Sequence, residues 1–216
     1  MHETLKHTPL FVSLPNDELE KLATKTNTKT YKKNTVVVSK DDHTDSLYII
    51  LEGNIKIYLD DEQGKEVIIN IMSAGEYFGE LALISGKPRS ANVMAMAPCK
   101  LAIISKADFM ECLTNNPSLS FNIIQALIDQ VHNLTENISS LALLDVYGRI
   151  VQTLNKNAVE KDGKRMTNPM THQDIANMIG SSREMVSKIL KDLRVGGYIT
   201  TDGKSIIIER TLPTGW

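Results

Sequence analysis

From Ser118 to Asp145 the chain runs 28 residues without a glycine or a proline, and its apolar residues fall three and four apart. That spacing predicts one long helix. Phe121, Ile124, Ile128, Val131, Thr135, Ile138 and Ala142 form the stripe of a two-helix seam, and Leu127, Leu134 and Leu141 run beside it at seven-residue spacing. A long helix buried against its own domain is one solution. Two apolar rows suit a helix that packs on its own domain with one and on a symmetry mate with the other, so a homodimer is expected. Thr135 is the one polar position in the seam, and three fates are open to it: setting register, touching a ligand, or bonding its own helix backbone.

Before this helix the pattern is that of strands. Pro15 and an acidic first turn, followed by Leu19 and Leu22, predict a short amphipathic helix within residues 9–23. A polar run, TKTNTKTYKKN, follows it. Strand-like segments then recur at 35–38, 46–53, 54–61 and 66–75, with turn residues at Gly53 and 61–64, and two more lie at 91–97 and 99–105. Short strands at such spacing predict an antiparallel roll or barrel. A helix over 106–116 should stop before Pro117.

Between those strands lies FGELALISGKPRSANV, residues 78–93. It offers what a phosphate-bearing ligand needs. The N–H groups after Gly79, those of Glu80 and Leu81, can form an anion nest, Glu80 can accept from a sugar hydroxyl, and Arg89 can neutralise phosphate while Ser90 adds a hydroxyl. The same Glu80 and Arg89 would also serve as a structural ion pair in a turn, and spacing alone does not separate the two readings.

Beyond the long helix, helical spacing resumes through Leu144, Ile150 and Leu154, and a polar loop, KDGKRMTNP, leads to the last module. There, Ile175, Ala176 and Ile179 mark the inner face of one helix and Val186, Ile189, Leu190 and Leu193 that of a second, with Gly180-Ser181 between and a cap at Ser181 or Ser182. Two short helices joined by a tight glycine turn are the helix-turn-helix pattern. Asp202-Gly203 between β-formers then predicts a hairpin wing. Arg183, Glu184, Ser187 and Lys188 fall on the exposed face near the start of the second helix. Arg183 suits guanine O6 and N7, Glu184 suits cytosine N4, and Thr171, Gln173 and Ser182 lie where backbone phosphates would be met. Double-stranded DNA is the partner this pattern implies. The net charge of -2 gives no such hint, although 11 basic residues face 8 acidic ones from residue 144 onward, against 13 and 18 before it.

Several classes are excluded. Two cysteines, Cys99 and Cys112, form neither a metal-type cluster nor a disulfide framework. No run of about 18 apolar residues and no leader pattern occurs, so a cytoplasmic protein without a membrane partner is expected. No nucleophile with a base and an orienting group stands out, so no catalytic residue and no enzymatic activity are expected.

The segment at 78–93 resembles the phosphate-binding cassette of cyclic-nucleotide-binding domains. The succession of roll, long helix and winged helix-turn-helix resembles the Crp/Fnr family of transcription regulators over nearly the whole chain, most closely in LALLDVYGRIVQTL and SSREMVSKILKDL. The resemblance implies an α+β architecture: a cyclic-nucleotide-binding β-roll of the double-stranded β-helix or jelly-roll type at 1–117, a dimerisation helix at 118–143 and a winged helix-turn-helix domain at 144–216. It implies cAMP as effector, inverted-repeat TGTGA-like sites, and RNA polymerase as a further partner. Gly79 and Glu80 take the family's ribose contacts, Arg89 and Ser90 its phosphate contacts, and Arg183 and Glu184 its base-reading pair.

Two departures stand out. Leu134 and Thr135 occupy the positions of the family's Thr-Ser adenine contacts, and a leucine neither donates nor accepts. Lys188 replaces an arginine and loses bidentate geometry. An iron-sulfur branch would need four cysteines, and a haem branch axial ligands, for which His43 and His132 are the available histidines; neither group, nor any other metal, is expected. The alternatives are the same architecture answering cyclic di-GMP, another effector or none, and a cyclic-nucleotide sensor acting on a protein partner.

Overall fold

The run Leu47–Ile50 has no polar residue because its strand is covered on both faces. The computed structural model describes residues 2–161 and 163–213. Strand β3 (Ser46–Glu52) lies in a four-stranded sheet with β1 (Asn27–Tyr31), β6 (Tyr77–Phe78) and β8 (Cys99–Ser105), in the order β1-β8-β3-β6. A second sheet has the order β2-β7-β4-β5, from β2 (Val36–Val38), β4 (Asn54–Asp60), β5 (Glu66–Ser73) and β7 (Asn92–Ala95). Between them sit Tyr48, Ile50, Ile55, Phe78, Val93 and Leu101. Alternate residues of β3, Leu47 and Ile49, point to the opposite face, where helices cover them.

Those helices are α1 (His2–His7), α2 (Asn16–Lys25), α4 (Lys106–Asn115) and the start of α5 (Pro117–Leu143), with Leu5, Leu19, Phe109, Leu119 and Ile123 in one cluster. A short helix, α3 (Glu80–Ser85), lies between β6 and β7 and adds Leu83 to that cluster. The chain thus forms the roll, the long helix and the winged reader as two compact units, Met1–Gly64 with Ile68–Val131, and Lys65–Val67 with His132–Trp216.

In the second unit, α6 (Val146–Asn157), α7 (His172–Ile179) and α8 (Arg183–Val195) enclose Ile150, Leu154, Ile175, Val186, Leu190 and Leu193. A third sheet, in the order β11-β12-β10-β9, completes it with β9 (Ala158–Lys161), β10 (Lys164–Thr167), β11 (Ile199–Asp202) and β12 (Ser205–Ile208).

Four expectations are corrected. The polar run holds β1, which pairs with β8 from Asn27↔Ile103 to Tyr31↔Cys99; only Tyr31 of the strand is buried, so no apolar alternation betrays it. The polar loop after α6 is the β9–β10 hairpin, whose Arg165 and Met166 pair with β12; Asp162 lies outside the described residues. The helix within 9–23 begins only at Asn16. Finally, the row that packs α5 on the roll is Leu119, Ile123 and Leu127, four residues apart, whereas Leu134 and Leu141 stay 40% and 53% exposed. Only the first turns of α5 meet that core, so the four-residue spacing prevails there over the seven-residue one.

Candidate functional site

Arg89 sits in a loop pinned from both sides of the chain. Its N–H donates to the Asp42 carbonyl at 3.0 Å, and the Asp41 N–H donates to its own carbonyl at 2.9 Å. The side chain is 4% exposed. Its Nε donates to Thr44 Oγ1 at 2.7 Å, Nη1 to the Gly79 carbonyl at 2.8 Å and Nη2 to the Ser46 carbonyl at 2.6 Å. All three acceptors are neutral. A guanidinium has five N–H groups and keeps its charge in proteins, so two donors and a full positive charge remain for a further acceptor.

Burial pulls the Arg89 pKa down, against Tyr48, Glu80, Asp45 and Asp42, which act to raise it. The guanidinium lies 5.8 Å from the centroid of the Tyr48 ring, which stacks on Phe78 at 4.9 Å and 4°. Glu80, half-buried at the first position of α3, has its carboxyl pushed up by burial; its own N–H, the charge of Arg89 and the Gly79 N–H pull the other way. Glu80 and Arg89 attract each other electrostatically, but the hydrogen bonds of Arg89 go to Thr44, Ser46 and Gly79.

Gly79 caps α3 at φ 98°, a left-handed conformation that L side chains rarely adopt. A Cβ there would also strike Arg89 Nη1 and approach the Ser46 carbonyl at 3.0 Å. The Gly-Glu pair therefore serves the arginine's position as well as the helix start. Ser90 is exposed beside Arg89, and the Leu81 side chain is 36% exposed on α3. The structure brings Gly79, Glu80 and Arg89 together, with Leu81 and Ser90 exposed next to them in the chain, while Leu134 and Thr135 lie on the exposed part of α5.

In the second unit the reader is built from local signals. Thr171 caps α7, accepting from the Asp174 N–H at 3.1 Å while the Asp174 carboxylate accepts from the Thr171 N–H at 2.7 Å. Its hydroxyl also donates to Asp174 at 2.7 Å, which occupies the proton a phosphate contact would use. Gly180 ends α7 at φ 64°, and Ser182 caps α8 by accepting from the Met185 N–H at 3.2 Å. Val186, Ile189, Leu190 and Leu193 are buried, and Ser182, Arg183, Glu184 and Lys188 are exposed. Gln173 is exposed and donates to Asn177 at 2.8 Å.

Ser187 departs from its expected exposure: it is half-buried, its hydroxyl 2.8 Å from His172 Nδ1. Burial, then Arg194 and Arg183, lower the His172 pKa. Residue pattern does not reveal this contact, since His172 and Ser187 lie on different helices. Arg210 is a second such case, donating to the Gly196 and Gly197 carbonyls just beyond α8 at 2.8 and 3.1 Å and lying over the Tyr198 ring. The wing is present, with Asp202 opposite Ser205 across the Gly203-Lys204 turn. Among the described residues no cluster of His, Cys, Asp or Glu could hold a metal, and no helix is long and apolar enough to cross a membrane.

Residues 28–116 match the family described as Cyclic nucleotide-binding domain, and residues 148–211 match the Crp-like helix-turn-helix domain. The chain is 35% identical over 188 residues to the cAMP-activated global transcriptional regulator CRP of Pasteurella multocida, covering 84% of this chain and 89% of that protein. It is 31% identical over 217 residues to the cAMP-activated global transcriptional regulator Vfr of Pseudomonas aeruginosa, covering 96% and 98%. Among solved structures it is similar to the c-di-GMP responsive global regulator CLP of Xanthomonas campestris, with TM-score 0.77, 25% identity, and coverage of 91% of this chain and 100% of that one.

Proposed function

Because the chain belongs to the Crp/Fnr family of transcription regulators, we propose that it is a homodimeric DNA-binding regulator in which cAMP, bound at the Arg89 cradle, controls DNA affinity. The observation that carries the ligand reading is Arg89 itself: a 4% exposed cation held only by neutral oxygens. Removing an ion from water costs several kcal/mol, and a bound cyclic phosphate would offset part of that through charge-assisted bonds of about 1.5–3 kcal/mol each. Glu80 accepts from the ribose 2′-OH, Ser90 adds a hydroxyl bond to the phosphate, and the Leu81 N–H in the first turn of α3 is offered to the same anion. The site binds and does not turn over its ligand, so no enzymatic role is proposed.

The dimer reading rests on α5. Phe121, Ile124, Ile128, Val131 and Ile138 are 44% to 68% exposed along one helix, a stripe that a second copy would cover. Functionally, residues 1–117 sense, 118–143 dimerise and 144–216 read. Two readers about one DNA turn apart, roughly 34 Å, require an inverted repeat, with TGTGA-like half-sites by kinship. Arg183, Glu184 and Lys188 face the bases, with Ser182, Gln173 and the N-terminus of α7 at Thr171 toward phosphates. Coupling of about 1–3 kcal/mol between ligand and DNA is the ordinary range for such a switch. The protein acts in the cytoplasm, with RNA polymerase as its further partner.

Leu134 favours a second reading of the effector. It stands at a position where an adenine contact would need a polar group, and the similar CLP is c-di-GMP responsive. Calorimetric titration of the folded protein with cAMP and with cyclic di-GMP, repeated with DNA present, separates them. Heat with cAMP and tighter DNA binding are expected; silence at millimolar cAMP would remove cAMP as effector. A random-duplex screen with no enriched palindrome would favour a sensor acting on a protein partner.

A further inference from the structure

Helix α8 opens on four exposed residues, Ser182, Arg183, Glu184 and Met185, and the last is out of character. Met185 is 43% exposed and belongs to neither the buried apolar core of its unit nor the half-buried residues packed against it. It also holds the third helical position, where α7 has Asp174 closing a capping box. An acidic or amide side chain there would reach back to the Ser182 N–H; methionine leaves that bond unmade. The position thus gives up a local stabilisation without gaining burial, in the turn that carries Arg183 and Glu184.

We infer that Met185 is a specificity residue that reads the 5-methyl group of a thymine in the major groove. The inference rests on the DNA-binding reading of α8. That methyl is the apolar feature of the groove's edge pattern, and flexible apolar side chains make the matching contact. A thioether on three rotatable bonds fits such a target without a fixed geometry. Arg183 and Glu184 supply hydrogen-bonding readout, and Met185 adds a contact that no hydrogen bond reports.

The test removes a single methyl. Duplexes are first selected from a random pool by the full-length protein, with and without cAMP; if no palindrome emerges, the DNA-binding reading fails and the inference falls with it. On the selected site, thymines are replaced by deoxyuridine one symmetric pair at a time, and affinity is measured for the native protein, Met185→Ala and Met185→Leu. One replacement should weaken the native protein and Met185→Leu by about fourfold per half-site, the value of one buried methyl, and leave Met185→Ala unaffected. An equal response of the native protein and Met185→Ala to every replacement overturns the inference while leaving the DNA-binding reading intact. Melting temperatures confirm that the variants are folded, as an exposed side chain outside the core predicts.

Discussion

Arg89 and Arg183 carry the same guanidinium, yet the chain buries one to 4% exposure and leaves the other on the surface. Arg89 is oriented by the fold itself, through bonds to Thr44, Ser46 and Gly79. Arg183, the first residue of α8, is exposed on the helix surface. In the proposed site the first arrangement would give affinity for one small anion, because the side chain is already held in one geometry. The second suits the proposed reader, since an exposed fork could rearrange between non-specific contacts to many phosphates and specific contacts to few sequences.

The largest expected effect follows from removing the oriented cation. Arg89→Ala should abolish the ligand response, with at least about a hundredfold loss in ligand affinity if two charge-assisted bonds to phosphate are lost at about 1.5–3 kcal/mol each. Weak DNA binding should persist. Arg89→Lys should recover little, since an ammonium cannot hold Thr44, Ser46 and Gly79 together and still present a fork. Calorimetry on the folded variants checks both, and a full ligand response in Arg89→Ala would break the contrast by showing that the cradle lies elsewhere.

A smaller effect is expected at the surface. Glu184→Ala should relax selectivity at one base pair, by about 1–3 kcal/mol of discrimination, with overall affinity and ligand response retained. Site selection followed by competition binding reads this. Unchanged selectivity would remove Glu184 from base reading and leave Arg183 and Lys188 as the reader's polar face.

The two regions also differ in how far a sequence exposes them. The reader is legible because its signals are local: Val186, Ile189, Leu190 and Leu193 follow the helical period, and Ser182 caps at the position that starts it. The cradle's residue types were legible, as Gly79, Glu80 and Arg89, but not their arrangement. The acceptors that seat Arg89 are two carbonyls and one hydroxyl, and Thr44 and Ser46 lie 45 and 43 residues away. Carbonyls carry no residue signature, so spacing left an ion pair with Glu80 equally open. The same limit hid β1, whose partner β8 is remote and whose own residues are polar. It also misassigned the packing row of α5, since seven-residue spacing does not tell where the roll ends and the free helix begins.

The smallest effect sharpens the contrast by pH. Arg89 keeps its proton throughout the physiological range, whereas His172, in the reader, does not. Its ring lies against Ser187, and burial, Arg194 and Arg183 hold its pKa below the usual 6.5. A base with a lowered folded-state pKa binds fewer protons when folded, so the unfolded chain takes up the proton first as pH falls. The resulting penalty is absent well above 6.5, grows as pH drops through that value, and levels off below the folded-state pKa. Thermal midpoints measured from pH 7.5 to 5 should therefore fall more steeply in the native protein than in His172→Gln, which keeps a polar side chain toward Ser187 and cannot titrate. Using the difference between the two curves removes the carboxylates common to both. Parallel curves would mean that His172 does not carry the penalty.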